Sequence, residues 1–252
     1  ASAKKLGCAV TLLELKPDLL DRAMAPQIAR FVAEIHRRKE VELRLGASVA
    51  GIVGKAKLEA VELADGERLA ADLAVIAIGI LPNSELAQAA GAATGNGVVV
   101  DEFGHTSLPD IYAAGDVAEH PNPILGHRLR LESWQNAQNQ AIAVARAMCG
   151  TATPYAEVPW FWSDQYEFNI QMVGAPLATD AIVVRGEPAS GRFISFNLAG
   201  GIVVGATAFN LGGEIRFARK LVELKAAVEP GVLADSAKKL RDVVAALSST
   251  GS

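Results

Sequence analysis

The chain has few of the residues that build metal centres, disulfide frameworks or membrane spans. Its 252 residues include only four histidines and two cysteines, Cys8 and Cys149, which lie far apart. This spacing matches neither a redox pair nor a zinc knuckle, so it favours a reducing cytoplasm and argues against a metal site. The longest apolar run, near Leu73–Leu81, is too short to cross a bilayer, so we expect no membrane association.

An excess of positive charge is also absent. The 24 basic and 28 acidic residues give a formal net charge of −4, which provides no electrostatic basis for binding nucleic acid. Aromatic residues make up only 6% of the chain, whereas half of it is hydrophobic, which favours α/β packing of small aliphatic side chains. The length suits one large domain or two modest ones with a real core.

The most informative stretch runs from Thr106 to Val117. It predicts a short apolar strand, Ile111–Ala114, that breaks at Gly115 and presents the carboxylate of Asp116. A glycine there lets the backbone approach a bulky ligand closely. The carboxylate can accept hydrogen bonds from sugar-like hydroxyls, and the backbone from Val117 onward can face a phosphate. Taken alone, however, a Gly-Asp pair after a strand is more often a plain turn.

The beginning of the chain has the pattern of the back half of a dinucleotide-binding βαβ unit. A helical turn closed by Gly7 precedes an apolar strand that ends in an acid, Glu14. In such units the acid holds the adenosine ribose and follows the glycine-rich loop by about 20 residues. Only 13 residues precede Glu14, so we expect the loop to fall before Ala1. A solvated strand end explains a terminal glutamate equally well.

The segment up to Gly79 continues this pattern. Helical apolar spacing predicts a helix over Asp21–Arg38. Four short strands are predicted at Val41–Leu45, Ser48–Val53, Leu58–Leu63 and Arg68–Ala70, with a hairpin turn at Asp65-Gly66. Leu73–Ile78 is apolar at every position, which predicts a strand buried on both faces. At its end, Gly79 permits close backbone approach to a ligand, although a plain exit into a loop fits as well.

The remainder predicts a second unit that mixes helices with antiparallel strands. The predicted helices are Ser84–Ala90, Gln135–Cys149, Glu214–Leu224 and Asp235–Leu247, the last capped by Asp235 or Ser236. The predicted strands are Asn169–Val173, Ala181–Arg185, Phe193–Leu198 and Ile202–Ala208, with hairpin turns at Ser190-Gly191 and Gly200-Gly201. Trp160 and Trp162 begin this part, and such a pair is typical of core packing as often as of a docking surface.

Together these motifs resemble the NADH-dependent ferredoxin reductases, glutathione-reductase-like flavoproteins that serve ring-hydroxylating dioxygenases and bacterial cytochromes P450. The strings that carry the resemblance are Leu13-Glu14, Ala77-Ile-Gly-Ile-Leu-Pro-Asn83, Asn96-Gly-Val-Val-Val-Asp101, Thr106 to Val117, Arg130-Leu-Glu-Ser-Trp-Gln-Asn-Ala137 and Pro159-Trp-Phe-Trp-Ser-Asp-Gln165. They occur in the family's order and cover nearly the whole chain. The Pro159 to Gln165 string is the most specific of them, whereas many flavoproteins share the Gly-Asp motif.

The resemblance implies an α/β and α+β architecture: a two-dinucleotide-binding flavoprotein fold lacking its N-terminal part, followed by a C-terminal α+β interface domain. Residues 1–79 would be the NAD-binding domain without its first strand and glycine-rich loop. Residues 80–151 would be the second segment of the FAD-binding domain, and residues 152–252 the interface domain. Because both glycine-rich loops are missing, the chain alone is expected to bind FAD and NADH poorly and to be inactive.

The activity implied is transfer of electrons from NADH through FAD to a small [2Fe-2S] ferredoxin that feeds an oxygenase. No side chain need act as an acid or base, so no catalytic residue is named. The protein would be a monomer or a homodimer. Two alternatives stay open: a related rubredoxin, peroxide or disulfide reductase, or a non-catalytic interaction protein built on the same fold.

The resemblance also assigns cofactor-binding residues. Gly115, Asp116 and Val117 would hold FAD, with Asp116 on the ribityl chain. Trp134 would lie along the flavin, Glu132 beside it in the nicotinamide pocket, and Trp162 near the flavin edge where the redox partner docks. Gly79 and Ile80 would line the NADH path, and Glu14 would hold the adenosine ribose and repel the 2′-phosphate of NADPH. Arg128 and Arg130 would either attract an acidic ferredoxin or serve only as solvated surface charges.

Overall fold

Two separate units divide the chain, Ala1–Ile80 and Leu81–Ser252. The structure, a computed structural model, describes residues 1–21, 24–175 and 179–249. The division into three domains at residues 79 and 151 stays a prediction.

The first unit contains two helices and two small sheets. Its elements are α1 (Ser2–Lys5), β1 (Thr11–Glu14), α2 (Pro26–Arg38), β2 (Glu42–Leu45), β3 (Val49–Val53), β4 (Ala60–Leu63) and β5 (Arg68–Ala70). Strands β1 and β2 pair in parallel, with Glu14 opposite Leu45, and β3, β4 and β5 form an antiparallel sheet. The four strands after α2 were therefore predicted to within two residues at their ends.

Helix α2 begins later than the sequence pattern predicts. Proline occupies its first position, where the missing N–H costs nothing and the fixed φ suits a helix. The buried side chains Ile28, Val32 and Ile35 recur at helical spacing on one face. The predicted start at Asp21 is wrong, and part of that prediction, Arg22 and Ala23, lies outside the described residues.

The apolar run Leu73–Ile78 does not form the predicted buried strand. Among the described residues it belongs to no strand, and Val75 and Ile78 are 84% and 91% exposed. A strand buried on both faces needs hydrogen-bonded neighbours and a covering layer on each side. In the described part of this unit β1 and β2 form the only parallel pair, and neither pairs with the run. The apolar composition of the run predicted burial, but burial requires neighbouring strands and covering layers, which this run lacks in the described part of the unit.

The second unit is larger and contains a five-stranded antiparallel sheet. Its elements are α3 (Glu85–Ala89), β6 (Val98–Val99), β7 (Ala118–Asn122), β8 (His127–Arg130), α4 (Trp134–Met148), β9 (Trp160–Gln165), β10 (Phe168–Gly174), β11 (Ala181–Glu187), β12 (Arg192–Ala199), β13 (Ile202–Phe209), α5 (Gly212–Glu223), α6 (Pro230–Ala234) and α7 (Leu240–Ser249). The five strands follow the order β11-β12-β13-β10-β9, and β6, β7 and β8 form a smaller mixed sheet. The antiparallel arrangement predicted from the two glycine turns is confirmed.

The core of this unit lies between the large sheet and its C-terminal helices. Ile194 and Phe196 of β12 are fully buried in one cluster with Ala218 and Leu221 of α5. Leu233 of α6 belongs to the same cluster and is also inaccessible to solvent. Val173 of β10 belongs to the same cluster. Strand β9 pairs with β10 at the edge of the sheet, and its Trp162 contacts Trp134 of α4.

The single helix predicted over Asp235–Leu247 is wrong at its beginning, because α7 starts only at Leu240. Arg185 of β11 is buried, and its guanidinium donates to the carbonyls of Leu233, Asp235 and Lys238. A side chain therefore binds these carbonyls where no helix continues, and the Asp235 carbonyl also accepts from the N–H of Lys238. In the described ranges no helix is both long and apolar enough to span a membrane.

We predict that lysine at both Val75 and Ile78 leaves the unfolding free energy within about 0.5 kcal/mol of the parent, because both side chains are exposed. The same pair should lower the fluorescence of an apolar dye bound to the protein. Denaturant unfolding and dye titration measure the two effects. Val32→Ala, at a position 1% exposed in α2, is the buried control and should cost about 1–3 kcal/mol. A larger loss for the lysine pair than for this control would contradict the exposure of the run.

Candidate functional site

Gly115 to Val117 form a 3₁₀ turn that leads directly into β7. Gly115 has φ +78°, in the left-handed region that favours glycine. A Cβ there would lie 3.5 Å from that of Ala137, an ordinary contact, so conformation rather than space selects glycine. The predicted strand Ile111–Ala114 reduces to one bridge between Tyr112 and His105.

The carboxylate of Asp116 is exposed and has no partner among the described residues. Its backbone, in contrast, is held on both sides. The N–H of Gly115 donates to Oε1 of Gln140 at 2.8 Å, and the Asp116 carbonyl accepts from Nη1 of Arg130 at 2.9 Å. The turn is therefore fixed by neighbouring side chains while its carboxylate stays available to a ligand.

Arg130 links the Gly115–Val117 turn to the segment that follows β8. Its Nη2 donates to Oε1 of Glu132 at 2.6 Å, and its side chain is only 7% exposed. Gly97 lies against this arrangement: a Cβ there would lie 2.4 Å from the Val117 carbonyl oxygen and 2.9 Å from Cδ of Arg130. Only glycine fits at that position without a shift of the backbone.

Both arginines considered as attractants for an acidic partner are engaged within the unit. Nη2 of Arg128 lies 2.6 Å from the carbonyl oxygens of Val100 and Glu119, to which it donates. Arg130 is bound to the Asp116 carbonyl and to Glu132. Both guanidinium groups therefore donate to acceptors within the unit, although the Arg128 side chain stays 39% exposed.

The three tryptophans form one cluster at the beginning of α4 and the edge of the sheet. Ser133 caps α4, its Oγ accepting from the N–H of Asn136 at 3.2 Å, and this places Trp134 in the first turn. The ring of Trp134 meets Trp162 edge-on at 6.4 Å, and Trp162 stacks on Trp160 at 4.9 Å. Trp134 and Trp162 are 70% and 43% exposed, whereas Trp160 is partly buried against the core. The cluster therefore runs from the core to an exposed surface.

A buried polar network lies behind the Gly115–Val117 turn. The hydroxyl of Tyr155 donates to Oδ1 of Asn136 at 3.0 Å, and Nδ2 of Asn136 lies 3.5 Å from Oε1 of Gln140. All three side chains are buried. Burial, and next the charge of Glu157, raise the pKa of the Tyr155 phenol well above its usual range. The sequence signal for this network was two amides four residues apart on the buried face of α4.

His120 of β7 packs against this network without a hydrogen bond of its own. Its ring is 1% exposed, meets Tyr155 edge-on at 5.4 Å, and neither nitrogen has a partner among the described residues. Burial lowers the pKa of His120, and the charge of Arg128 adds to the effect, while the nearby Ala118 backbone opposes it.

Three predicted site residues belong to the first unit. Glu14 ends β1, and one of its carboxylate oxygens accepts from the N–H of Lys16 at 2.8 Å. Gly79 has φ +110°, and Ile80, the last residue of the unit, is 52% exposed. Across the described ranges no group of three or more His, Cys, Asp or Glu side chains is arranged to hold a metal.

Two family models match successive stretches of the chain. Residues 1–141 match the pyridine nucleotide-disulphide oxidoreductase model, and residues 160–244 match the reductase C-terminal model. The chain is 42% identical over 236 residues to the ferredoxin–NAD(+) reductase component of the anthranilate 1,2-dioxygenase system of Burkholderia cepacia, covering 93% of this chain and 58% of that protein. It is 38% identical over 249 residues to the putidaredoxin reductase CamA of Pseudomonas putida, covering 98% and 59%.

Solved structures show the same likeness. The ferredoxin reductase for the CYP199A2 system of Rhodopseudomonas palustris matches with a TM-score of 0.92 and 35% identity, covering 97% of this chain and 61% of that one. A covalent putidaredoxin reductase–putidaredoxin complex matches with a TM-score of 0.93 and 37% identity, covering 98% and 60%. The chain spans 56–60% of the length of the sequence relatives it matches.

We predict that His120→Leu flattens the dependence of stability on pH. Because the folded pKa is lowered, the unfolded chain binds the extra proton as pH falls below its unfolded pKa of about 6.5, and the parent loses stability there. Leucine removes this term and two unpartnered buried nitrogens, so the unfolding free energy at pH 5.5 should rise by about 1 kcal/mol. Denaturant unfolding at pH 5.5 and 7.5 measures it. If the unfolding free energy changed between the two pH values as much in His120→Leu as in the parent, the lowered pKa of His120 would be refuted.

Proposed function

This chain belongs to the pyridine nucleotide-disulphide oxidoreductase family, and we propose that the full-length protein passes electrons from NADH through FAD to a small [2Fe-2S] ferredoxin. The relatives support this proposal, since one is the ferredoxin reductase of a dioxygenase system and another that of the CYP199A2 system. A third is a reductase in covalent complex with putidaredoxin. The ferredoxin would in turn feed an oxygenase in the cytoplasm.

The observation that carries the proposal is the free carboxylate of Asp116 on a turn whose backbone is held from both sides. A carboxylate accepts hydrogen bonds and donates none, so an exposed one on a rigid turn suits the hydroxyls of a sugar-like chain. The residues present therefore fit FAD, whose ribityl chain offers such hydroxyls. Bound flavin supplies the exchange between two-electron and one-electron chemistry.

The other side chains of the second unit bind and orient in this proposal. The backbone around Trp134 would lie along the flavin, and the carboxylate of Glu132 would stand beside it in the nicotinamide pocket. Arg130 holds that carboxylate at 2.6 Å. The exposed face of Trp162 faces the redox partner, because aromatic surfaces with one polar atom are favoured at interfaces. No side chain is asked to move a proton.

Glu14 selects the nicotinamide cofactor. Glu14 lies at the carboxyl end of a parallel strand. In dinucleotide-binding units an acid at this position accepts hydrogen bonds from the adenosine ribose. Negative charge there also repels a 2′-phosphate, which favours NADH over NADPH. Gly79 and Ile80 line the path of NADH in the same proposal, Gly79 by allowing close backbone approach.

Disulfide reduction receives no support from the residues of this chain. Cys149 follows α4 at the end opposite Trp134, about 20 Å away by helical rise. Cys8 lies in the other unit and, like Cys149, is a free thiol. Rubredoxin and peroxide reductases share the flavin chemistry, and a non-catalytic interaction protein would need none, so a ferredoxin-dependence assay separates these alternatives.

We predict that the full-length protein reduces cytochrome c with NADH only when a [2Fe-2S] ferredoxin is added. Asp116→Ala should weaken FAD binding at least tenfold, because it removes a charged acceptor of the ligand's hydrogen bonds. Spectrophotometric assay and FAD titration of the apoprotein measure these effects. Asp72→Ala, which removes an exposed carboxylate in the other unit, is the control and should change neither. Full NADH oxidation without ferredoxin would overturn the assigned function.

We also predict that Glu14→Ala lowers the preference for NADH over NADPH by about tenfold, because the ribose loses an acceptor and the phosphate loses a repelling charge. The ratio of the two kcat/KM values measures it. Glu42→Ala is a matched control, since Glu42 lies on the neighbouring strand β2, opposite Thr11 at the amino end of β1. Equal effects of the two substitutions on the ratio would contradict the role of Glu14.

A further inference from the structure

Gln140 is a buried, uncharged polar residue of helix α4 that contacts the candidate FAD site at Gly115. Its side chain is 1% exposed on the inner face of α4. Its Oε1 accepts the N–H of Gly115 at 2.8 Å, from a residue 25 positions earlier in the chain. No role in the site was predicted for it.

The Gly115 N–H has few other ways to be satisfied. Gly115 is buried and takes a left-handed conformation, and it directly precedes the residue whose carboxylate is free. A buried N–H that loses its acceptor costs more than the bond itself contributes, so the turn would rotate toward another acceptor or toward water. Rotation at Gly115 would redirect the Asp116 side chain.

The orientation of the Gln140 amide is itself determined by a neighbour. Its Oε1 also faces Nδ2 of Asn136 at 3.5 Å, and that nitrogen donates to the Leu131 carbonyl at 3.3 Å. The Tyr155 hydroxyl donates to Oδ1 of Asn136, so in each amide the oxygen is identified by the donors that face it. Buried hydrogen bonds of this kind favour one arrangement of the side chains that make them.

We infer that Gln140 is a positioning residue for FAD: it holds the Gly115 N–H and so directs the Asp116 carboxylate toward the ribityl hydroxyls. This inference rests on the proposed function. Arg130 binds the Asp116 carbonyl, so Gln140 and Arg130 hold the two ends of the Gly115-Asp116 dipeptide. Gln140 itself touches no ligand and acts only through Asp116.

The test is a double-mutant cycle in the full-length protein, with FAD titrated into apoprotein. Gln140→Met is nearly isosteric and lacks the acceptor, and it should weaken FAD binding about tenfold, as loss of one buried hydrogen bond and of the orientation it imposes. In an Asp116→Ala background the same substitution should change the dissociation constant less than about twofold. The visible circular dichroism of bound flavin should change with Gln140→Met alone.

Two further variants keep the result interpretable. Gln138→Met lies on the same helix with an exposed side chain and should leave FAD binding unchanged. Gln140→Glu keeps an acceptor for the Gly115 N–H and should bind FAD within about threefold of the parent, even if Gln140→Met does not fold.

The outcomes distinguish the two levels of the proposal. Equal losses from Gln140→Met with and without Asp116 would show that Gln140 acts through general stability, and the inference would fail. Weakening by Gln140→Glu as severe as that by Gln140→Met would also overturn it. Unchanged FAD binding in Asp116→Ala would instead refute the proposed function, whatever Gln140 does.

Discussion

The hydrogen bond between the Gly115 N–H and Gln140 joins the two parts of the candidate site. The Gly115–Val117 turn comes from the segment before β7, whereas Gln140 lies on α4, the helix that also presents Trp134 to the tryptophans of β9. If α4 moved, the turn would lose its hydrogen bond to Gln140, and Trp134 would lose its contact with Trp162. The bond is buried, which strengthens it and makes its loss costly.

Three arginines of this unit perform a related task by binding backbone carbonyls. Arg130 binds the Asp116 carbonyl, and Arg128 binds the carbonyls of Val100 and Glu119. Arg185 binds one carbonyl of the last turn of α6 and two between α6 and α7. A carbonyl oxygen has two lone pairs and can accept from a side chain as well as from an N–H, and a guanidinium offers five donors in a fixed plane. These arginines look like surface charge in the sequence, but their donors are used inside the unit.

Local features of the fold were predictable to within one or two residues. The Asp65-Gly66 and Gly200-Gly201 turns depend on backbone conformations that only a few residue types adopt. In contrast, Leu73–Ile78 and the beginning of α7 were predicted incorrectly. The first depends on whether neighbouring strands cover an apolar run, and the second on Arg185, about 50 residues earlier in the chain. Neither condition is visible within a local window of sequence.

By itself, the sequence determined the family, the candidate ligand residues Gly115 and Asp116, and the tryptophans, because motif order and residue chemistry are written in the chain. Only the tertiary structure decided that Arg130 and Gln140 hold the turn, that the tryptophans form one partly exposed cluster, and that Tyr155 and Asn136 stand behind the turn. The two bonds that hold the turn join residues 14 and 25 positions apart, Arg130 to Asp116 and Gln140 to Gly115. Spacing alone cannot reveal a hydrogen bond whose donor and acceptor meet only when separate elements pack together.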